Sequence, residues 1–307
     1  MKRHTFIFLN GRQFSVLTKL NNVKEYEDNI IKCIEKVKTL NPLVHCITNR
    51  VTTEKVANSL LAFGASPAMI DNPKEVKEFA SVSSCTYLNA GLHTTQVENI
   101  KILEKIRKDK SDNKFILILD PIAIGATSYR TDIIKEIIKK CKPNIIKGNL
   151  SEIVYIDKEK FYGKGVDSSN SINIIAENEA INSARRVALK HNCTVVLTSK
   201  TDIIVSPCAN YIAKINYDLN ILEKLTGSGC AIGGLCAAAS AVLPTDMFIA
   251  CTAATLLYKL AASKAYETEK NPGTLNCKII DYIYSYSNNS QLLNFNILSF
   301  YKATSTN

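Results

Sequence analysis

Short apolar segments alternate with amphipathic helical patterns along most of this chain. The segments "FILILD" (115–120), "NIIKGN" (144–149) and "TVVLTS" (194–199) are rich in Ile, Leu and Val, as buried strands are. Between them, "TDIIKEIIKKCKP" and "AINSARRVALKHN" place apolar residues at helical spacing and charges on the other face. This alternation predicts an α/β fold with a mostly parallel central sheet flanked by helices.

Each predicted strand ends in polar or small residues. Asp120, Asn149 and Thr198 stand at such ends, and Glu152 follows Asn149 closely. Because ligands of parallel sheets bind beyond the carboxyl ends of the strands, we expect these side chains to lie near one rim. The glycine-rich turn at 227–229 is expected to join them.

The sequence "EKLTGSGCAIGGLCAAAS" (223–240) places two glycines around Ser228, followed by Cys230 and a run of small apolar residues. A glycine-rich turn that leads into a helix leaves backbone N–H groups unpaired, and with the helix dipole it forms an anion site. At such a site a carboxylate base would be expected where Cys230 stands. The turn is also expected to lower the pKa of the Cys230 thiol.

The pair Asn149 and Glu152 forms an N-x-x-E motif directly after a predicted strand. One interpretation is a hydrated Mg²⁺ site, because Mg²⁺ takes oxygen ligands and keeps several waters. The other is a helix capping box, with Asn149 as N-cap. Together with Asp120 in "LDPIAIGATSYRT" and the anion-binding turn, the motif favours phosphoryl transfer.

Composition excludes several classes of protein. The net charge of +10 comes from lysines spread along the chain, without a basic stripe interleaved with aromatic residues, so we expect anionic substrates and no nucleic-acid partner. No apolar run reaches the roughly 18 residues of a membrane span. The 10 cysteines are irregularly spaced and the four histidines are scattered, which predicts free thiols, no zinc site and a cytoplasmic location.

We expect one domain over residues 28–285. Residues 1–27 are basic and lack acidic residues until Glu25, which predicts a flexible extension, with a mitochondrial presequence as the alternative. A polar Asn/Ser/Gly-rich insertion is predicted at 157–179, and residues 286–307 form a similar tail.

Six ordered motifs carry a resemblance to a known family. They are "NPLVHCITNRVTTEKVANSLLAFGASPAMIDNPKEVKEFA", "LNAGL", "LDPIAIGATSYRT", "KPNIIKGNLSEI", "TVVLTSKTD" and "EKLTGSGCAIGG". In order and spacing they resemble the hydroxyethylthiazole kinases of the ribokinase superfamily, over roughly residues 28–285. The resemblance implies a ribokinase-like single domain, ATP as co-substrate, Mg²⁺, and a homotrimer with active sites between subunits.

The resemblance also assigns residues to roles. For substrate binding it implies Met69, Asn49 and Gly227; for ATP binding Lys147, Thr198, Ser228 and Gly229; for the metal Asp120, Asn149 and Glu152; and for catalysis Cys230. Two positions depart from the family pattern. Lys147 replaces an arginine, which removes a planar guanidinium that can bind two phosphate oxygens at once. The sequence "TSK", with Ser199 and Lys200, replaces "TGE".

The main hypothesis is a kinase that phosphorylates the primary alcohol of 4-methyl-5-(2-hydroxyethyl)thiazole for thiamin synthesis. A second is a cysteine-dependent hydrolase with Cys230 as nucleophile and His45, His93 or His191 as base. A third is a homologue that binds nucleotide or thiazole without turnover.

Overall fold

The computed structural model describes residues 6–10, 13–91, 94–109, 115–159 and 170–305. The strands are β1 (Phe6–Asn10), β2 (Gln13–Lys19), β3 (Leu43–Ile47), β4 (Ser66–Ala68), β5 (Cys85–Asn89), β6 (Leu117–Asp120), β7 (Ile145–Asn149), β8 (Thr194–Thr198), β9 (Thr201–Val205), β10 (Tyr211–Asn216) and β11 (Leu298–Ser305). The α-helices are α1 (Lys24–Leu40), α2 (Thr53–Phe63), α3 (Pro73–Val82), α4 (Thr94–Asp109), α5 (Ser128–Cys141), α6 (Leu150–Lys158), α7 (Asn170–His191), α8 (Ser228–Val242), α9 (Met247–Thr268) and α10 (Pro272–Asn288). Short 3-10 helices lie at Asn220–Lys224 and Ser290–Leu292.

In the described part of the chain the strands form one 11-stranded sheet in the order β1-β2-β11-β10-β9-β8-β7-β6-β5-β3-β4. From β4 to β8 neighbouring strands are parallel, and from β8 to β1 they are antiparallel. The predicted α/β class is confirmed. Its parallel strands are buried apolar runs because helices cover both faces of that half.

The register of the parallel strands brings the predicted rim residues side by side. Asn89 at the end of β5 lies opposite Asp120 at the end of β6. Asn149 at the end of β7 likewise lies opposite Thr198 at the end of β8. The polar residues that end these strands therefore line one edge of the sheet, as the sequence predicts.

Two hydrophobic clusters hold the helices on the two faces. One cluster packs α1, α2, α8, α9 and α10 together and against the sheet, with Tyr87, Phe63 and Tyr258 among its largest buried side chains. The other lies under α4, α5, α6 and α7. The small residues of α8 allow close packing: a Cβ at Gly233 would lie 2.7 Å from the Tyr87 ring, so α8 approaches β5 closely.

The two ends of the chain differ from the flexible extension (1–27) and tail (286–307) that the sequence predicts. β2 and β11 pair antiparallel, with Leu17 opposite Ala303, and β11 also pairs with β10. Leu17 is buried. The physical reason is that pairing satisfies the backbone groups along β10 and β11 and buries the Leu17 side chain, which outweighs the polar composition of these segments.

The polar insertion predicted at 157–179 is only partly a connection. α6 ends at Lys158 and α7 begins at Asn170, so the last residues of the segment are helical. Residues 160–169 lie outside the described residues. The Asn- and Ser-rich composition that predicts a loop does not prevent a helix whose later turns pack on β8 and β9.

Candidate active site

The first turn of α8 has the exposed backbone N–H groups that the sequence predicts for an anion site. Its N-cap is Gly227 at φ 80°, without a side-chain cap, so the first backbone N–H groups face out of the helix end. Glycine is required there, because a Cβ would lie 2.9 Å from Thr52 Cγ2 and the left-handed φ disfavours other residues. The helix dipole adds a partial positive charge at the same point.

Cys230 lies in this first turn and contacts two strand-end amides. Asn89 Nδ2 donates to Cys230 Sγ at 3.2 Å, and Asn49 Nδ2 lies 3.9 Å from the same sulfur. Asn49 is held in place because its Nδ2 also donates to Asn89 Oδ1 at 3.0 Å. Cys230 therefore lies between the carboxyl ends of β3 and β5.

Burial raises the pKa of the Cys230 thiol above its ordinary value, and the charge of Asp120 raises it further. The charge of Lys147 and the hydrogen bond from Asn89 oppose this shift without reversing it. The expectation that the anion-binding turn lowers this pKa is therefore wrong. Loss of hydration outweighs the helix dipole at a thiol that is only 7% exposed.

Asp120 is fully buried at the centre of a polar network. Its Oδ2 accepts from Tyr87 Oη at 2.9 Å, Lys147 Nζ at 3.2 Å and Asn89 Nδ2 at 3.3 Å. Its Oδ1 has no hydrogen-bond partner among the described residues. Burial alone would lower the pKa of Lys147, but the charges of Asp120 and Glu152 raise it, so Lys147 stays protonated.

Asn149 and Glu152 form the capping box that the sequence allows. Asn149 N donates to Glu152 Oε2 at 2.8 Å, and Glu152 N donates to Asn149 Oδ1 at 2.9 Å. Glu152 Oε1 also accepts from Ala123 N at 2.9 Å. The capping interpretation is confirmed.

Glu152 lies close enough to Asp120 for the charge of Asp120 to act on its carboxyl group. Burial raises the pKa of Glu152, the Asp120 charge raises it further, and Lys147 opposes both. Two buried carboxylates therefore share one buried lysine. Across the described residues, no group of three or more His, Cys, Asp or Glu side chains forms a metal site of its own.

A pocket of about 410 Å³ opens at the ends of β7 and β8, beside the start of α8. This volume falls in the range of roughly 300–1,000 Å³ that small-molecule sites occupy. Four residues of the predicted ATP and metal sets line it: Asn149, Thr198, Ser228 and Gly229. Lys147 lies beneath, with its Nζ 2.9 Å from the point that a Cβ on Gly229 would take.

On the other side of Cys230 lie the residues predicted to bind the substrate. Met69 directly follows β4, is half-buried, and packs on the cluster to which Cys230 belongs. Asn49 follows β3 and accepts from Thr52 N at 3.1 Å, at the start of α2. Since β3 and β4 are parallel neighbours, Met69 and Asn49 leave the sheet at the same edge.

The histidines of the hydrolase hypothesis do not contact Cys230 in the described residues. His45 is fully buried, with its Nε2 2.8 Å from Ile70 O, and burial lowers its pKa. His191 ends α7, at the edge of the sheet where β8 begins and not where it ends. His93 lies outside the described residues.

Several residues of the site were missed from the sequence. Tyr87 and Asn89 lie in "CTYLNAG", whose polar strand end is the same signal that identified Asp120. A second buried ion pair, Lys259 with Asp202 at 3.1 Å, lies beside the pocket, where Lys259 forms part of the wall. A single lysine within the apolar run "ATLLYKLAA" was the available signal.

Among the helices of the described ranges, none is long and apolar enough to cross a bilayer.

Comparisons with known proteins agree with the six motifs. The family model described as "HK: Hydroxyethylthiazole kinase family" matches residues 34–289. A hydroxyethylthiazole kinase of Clostridium kluyveri is 37% identical over 261 residues, which cover 85% of this chain and 93% of that protein. Hydroxyethylthiazole kinase 2 of Clostridium botulinum is 37% identical over 254 residues, covering 83% of this chain and 93% of that protein.

A solved structure described as a hydroxyethylthiazole kinase protein from Pyrococcus horikoshii OT3 is similar in fold. It matches with a TM-score of 0.75 at 29% identity, and the match covers 91% of this chain and 100% of that one. The resemblance that the motifs predict is thus confirmed, and the chain belongs to the hydroxyethylthiazole kinase family.

Proposed function

We propose that this chain transfers the γ-phosphoryl group of ATP to the primary alcohol of 4-methyl-5-(2-hydroxyethyl)thiazole. One observation carries the proposal: the uncapped start of α8, with Cys230, lies between a pocket at the ends of β7 and β8 and a wall formed after β3 and β4. An anion site between a nucleotide-sized pocket and a second wall suits transfer of a phosphoryl group between two ligands.

The nucleotide would bind in the 410 Å³ pocket, with Thr198 and Ser228 as hydrogen-bonding groups in its wall. The backbone N–H groups of the α8 turn would receive the charge that develops on the transferred group. Lys147 supports this turn from beneath Gly229 with a charge that Asp120 and Glu152 maintain. Lys147, Thr198, Ser228 and Gly229 thus form the proposed ATP site.

Mg²⁺ fits the charges at the rim. Asp120 and Glu152 are both buried, the charge of Lys147 acts on both of them, and Asp120 Oδ1 has no hydrogen-bond partner among the described residues. Magnesium is usually held by one or two carboxylates together with water and substrate phosphates. We therefore propose Asp120 and Glu152 as its protein groups, with Asn149 acting through water; when bound, the ion neutralises phosphate charge.

The thiazole alcohol would lie against Met69, Asn49 and Gly227, with its hydroxyl beside Cys230. In phosphoryl transfer the transition state is loose and the alcohol proton leaves late, so orientation matters more than a strong base. The raised pKa of Cys230 is therefore compatible with the reaction. Asn89 and Asn49 hold the sulfur in place at the point where the proton is released.

We also propose the homotrimer and the cytoplasmic location. Leu61 and Tyr284 are 58% and 61% exposed on the neighbouring helices α2 and α10, which supports an interface between subunits. All ten cysteines are free, which is typical of a reducing compartment.

A coupled assay of ADP release tests the function. Purified protein with Mg²⁺ and ATP should release ADP when the thiazole alcohol is added, and release should stop when EDTA removes the metal. Absence of ADP release with any alcohol, despite measurable ATP binding, would favour the homologue without turnover. A stoichiometric acyl adduct on Cys230 would favour the hydrolase.

A further inference from the structure

Lys55 reaches the anion site from a direction that the assigned residues do not use. It lies in the first turn of α2, and its Nζ donates to Thr226 O at 3.1 Å and to Ser228 Oγ at 3.2 Å. Its Cδ lies 3.2 Å from the point that a Cβ on Gly227 would occupy. The ammonium is therefore next to the N-terminal end of α8.

No carboxylate in the described ranges lies within 4.0 Å of this ammonium, whereas Lys147 and Lys259 are each paired with a carboxylate. Lys147 pairs with Asp120 at 3.2 Å, and Lys259 pairs with Asp202 at 3.1 Å. Lys55 is instead held by a carbonyl and a hydroxyl, at the positive end of a helix dipole. Both burial and the dipole disfavour its charge, so an arriving anion would stabilise it.

The position of α2 determines which ligand Lys55 can meet. Asn49 and Thr52, at the start of this helix, belong to the wall proposed for the alcohol, and Thr52 packs against Gly227. Lys147 approaches the same turn from the sheet, beneath Gly229. The two lysines therefore flank the turn, with Lys55 on the alcohol side.

We propose that Lys55 is a further phosphate-binding residue, whose ammonium contacts the transferring phosphoryl group from the alcohol side and holds the phosphorylated product. In this step the bond between phosphorus and the ADP oxygen breaks and a bond to the alcohol oxygen forms. The alcohol proton passes to Cys230 or water, and Lys55 keeps its protons. The identity of the alcohol rests on the proposed function, but the anion contact does not.

Binding of inorganic phosphate gives the direct test. In the presence of ADP and Mg²⁺, calorimetry should show phosphate binding to the wild type and to Lys55→Arg, and at least about tenfold weaker binding to Lys55→Met. Lys36→Met is the matched control, because Lys36 is exposed on α1 and its loss changes the net charge equally. Thermal unfolding of each variant shows that the comparison is between folded proteins.

Steady-state kinetics can distinguish phosphate binding by Lys55 from a purely structural role of this residue. Lys55→Met should lower kcat/KM for the alcohol about 10- to 100-fold while the KM for ATP stays nearly unchanged. Burial lowers the pKa of Lys55 to about 8, partly opposed by Cys230, the titratable group that faces it in the described structure. The protonated lysine is the active form, so kcat/KM should fall as pH rises through about 8.

In Lys55→Arg this alkaline decline should move to higher pH, because guanidinium stays protonated. In Lys55→Met it should disappear. Unchanged phosphate binding and an unchanged pH profile in Lys55→Met would overturn the proposal, and so would equal losses in the arginine and methionine variants. If the wild type binds phosphate through Lys55 but phosphorylates no thiazole alcohol, the proposed function fails and this inference stands.

Discussion

Cys230 occupies a place where its environment would suit a carboxylate. Asn89 donates to its sulfur and Asn49 lies close by, and both amides could donate to an aspartate. Burial and the nearby Asp120 charge keep the thiol protonated at neutral pH. The ability of Cys230 to accept a proton is therefore limited by the small thiolate fraction and not by a lack of hydrogen-bond donors.

Cys230→Asp should keep or raise kcat, because a carboxylate ionises more readily than a thiol and can still accept the alcohol proton. Cys230→Ser should lose activity only moderately, because the backbone donors of the turn remain. Steady-state kinetics of both variants, with intact-mass analysis of the wild type during turnover, measure this. A folded, ATP-binding but inactive aspartate variant would count against the base role, and a trapped adduct would indicate a covalent mechanism.

Glu152→Gln should separate capping from metal binding. Glutamine offers one carbonyl oxygen where Glu152 accepts from both Asn149 N and Ala123 N, so we expect a loss of about 1–3 kcal/mol in unfolding free energy. The protein should remain folded, and turnover should fall sharply because a metal-binding charge is lost. Urea unfolding and a Mg²⁺ titration of ADP release measure the two effects. Unchanged activity at limiting Mg²⁺ would restrict Glu152 to capping.

At the scale of elements, local patterns predict the strands and helices that carry the rim. "FILILD", "NIIKGN" and "TVVLTS" become β6, β7 and β8, and "TTEKVANSLLAFGAS" contains α2, which ends at Gly64 with φ 99°. Local patterns suffice for these strands because β6, β7 and β8 follow one another in the chain and are also adjacent in the sheet. The polar residues at their ends then follow from the parallel arrangement.

The contacts between distant elements could not be predicted in the same way. Asn89 and Cys230 are 141 residues apart, and no pattern in either segment indicates that they meet. A capping box and a metal site both require an asparagine and a glutamate at positions 149 and 152. The sequence alone therefore could not distinguish the two interpretations. The predicted direction of the Cys230 pKa shift is wrong because the shift depends on how deeply α8 and β5 bury the thiol. The sequence does not reveal that packing.

The start of α8 depends on Gly227. Gly227→Ala should cost about 1–3 kcal/mol of stability, because alanine at φ 80° is strained and its Cβ would clash with Thr52. Activity should fall more than stability, since the turn that we propose binds phosphate is displaced. Thermal unfolding and ADP release measure both. Gly273→Ala is the matched control, because a Cβ there has no neighbour within 4 Å in the described structure; similar behaviour of the two variants would contradict the prediction.

At the scale of the whole molecule, the sheet has a parallel half that carries the site and an antiparallel half that carries both ends of the chain. β9 and β10 lie between β8 and β11, so the β2–β11 pair is remote from the rim residues. The family resemblance spans roughly residues 28–285, and the composition of the segments outside it predicts a flexible extension and a polar tail. Composition does not reveal that the two outer segments pair with each other.

Deletion of residues 1–19 should lower thermal stability and promote self-association while leaving the KM for ATP nearly unchanged. The deletion would uncover the edge of β11 and remove the buried Leu17. Differential scanning fluorimetry, size-exclusion chromatography and ADP-release kinetics measure the three properties. Equal stability of the shortened and full chains would show that β1 and β2 add nothing to the fold.

The pairing of β2 with β11 also constrains how the chain folds as it is made. Thr304 Oγ1 donates to Val16 O across a separation of 288 residues. At translation rates of about 5–20 residues per second, β2 would wait roughly 15 to 60 s for its partner strand to leave the ribosome. A strand that is synthesised early is therefore among the last to join the sheet, and the newly made chain must protect it until β11 has been made.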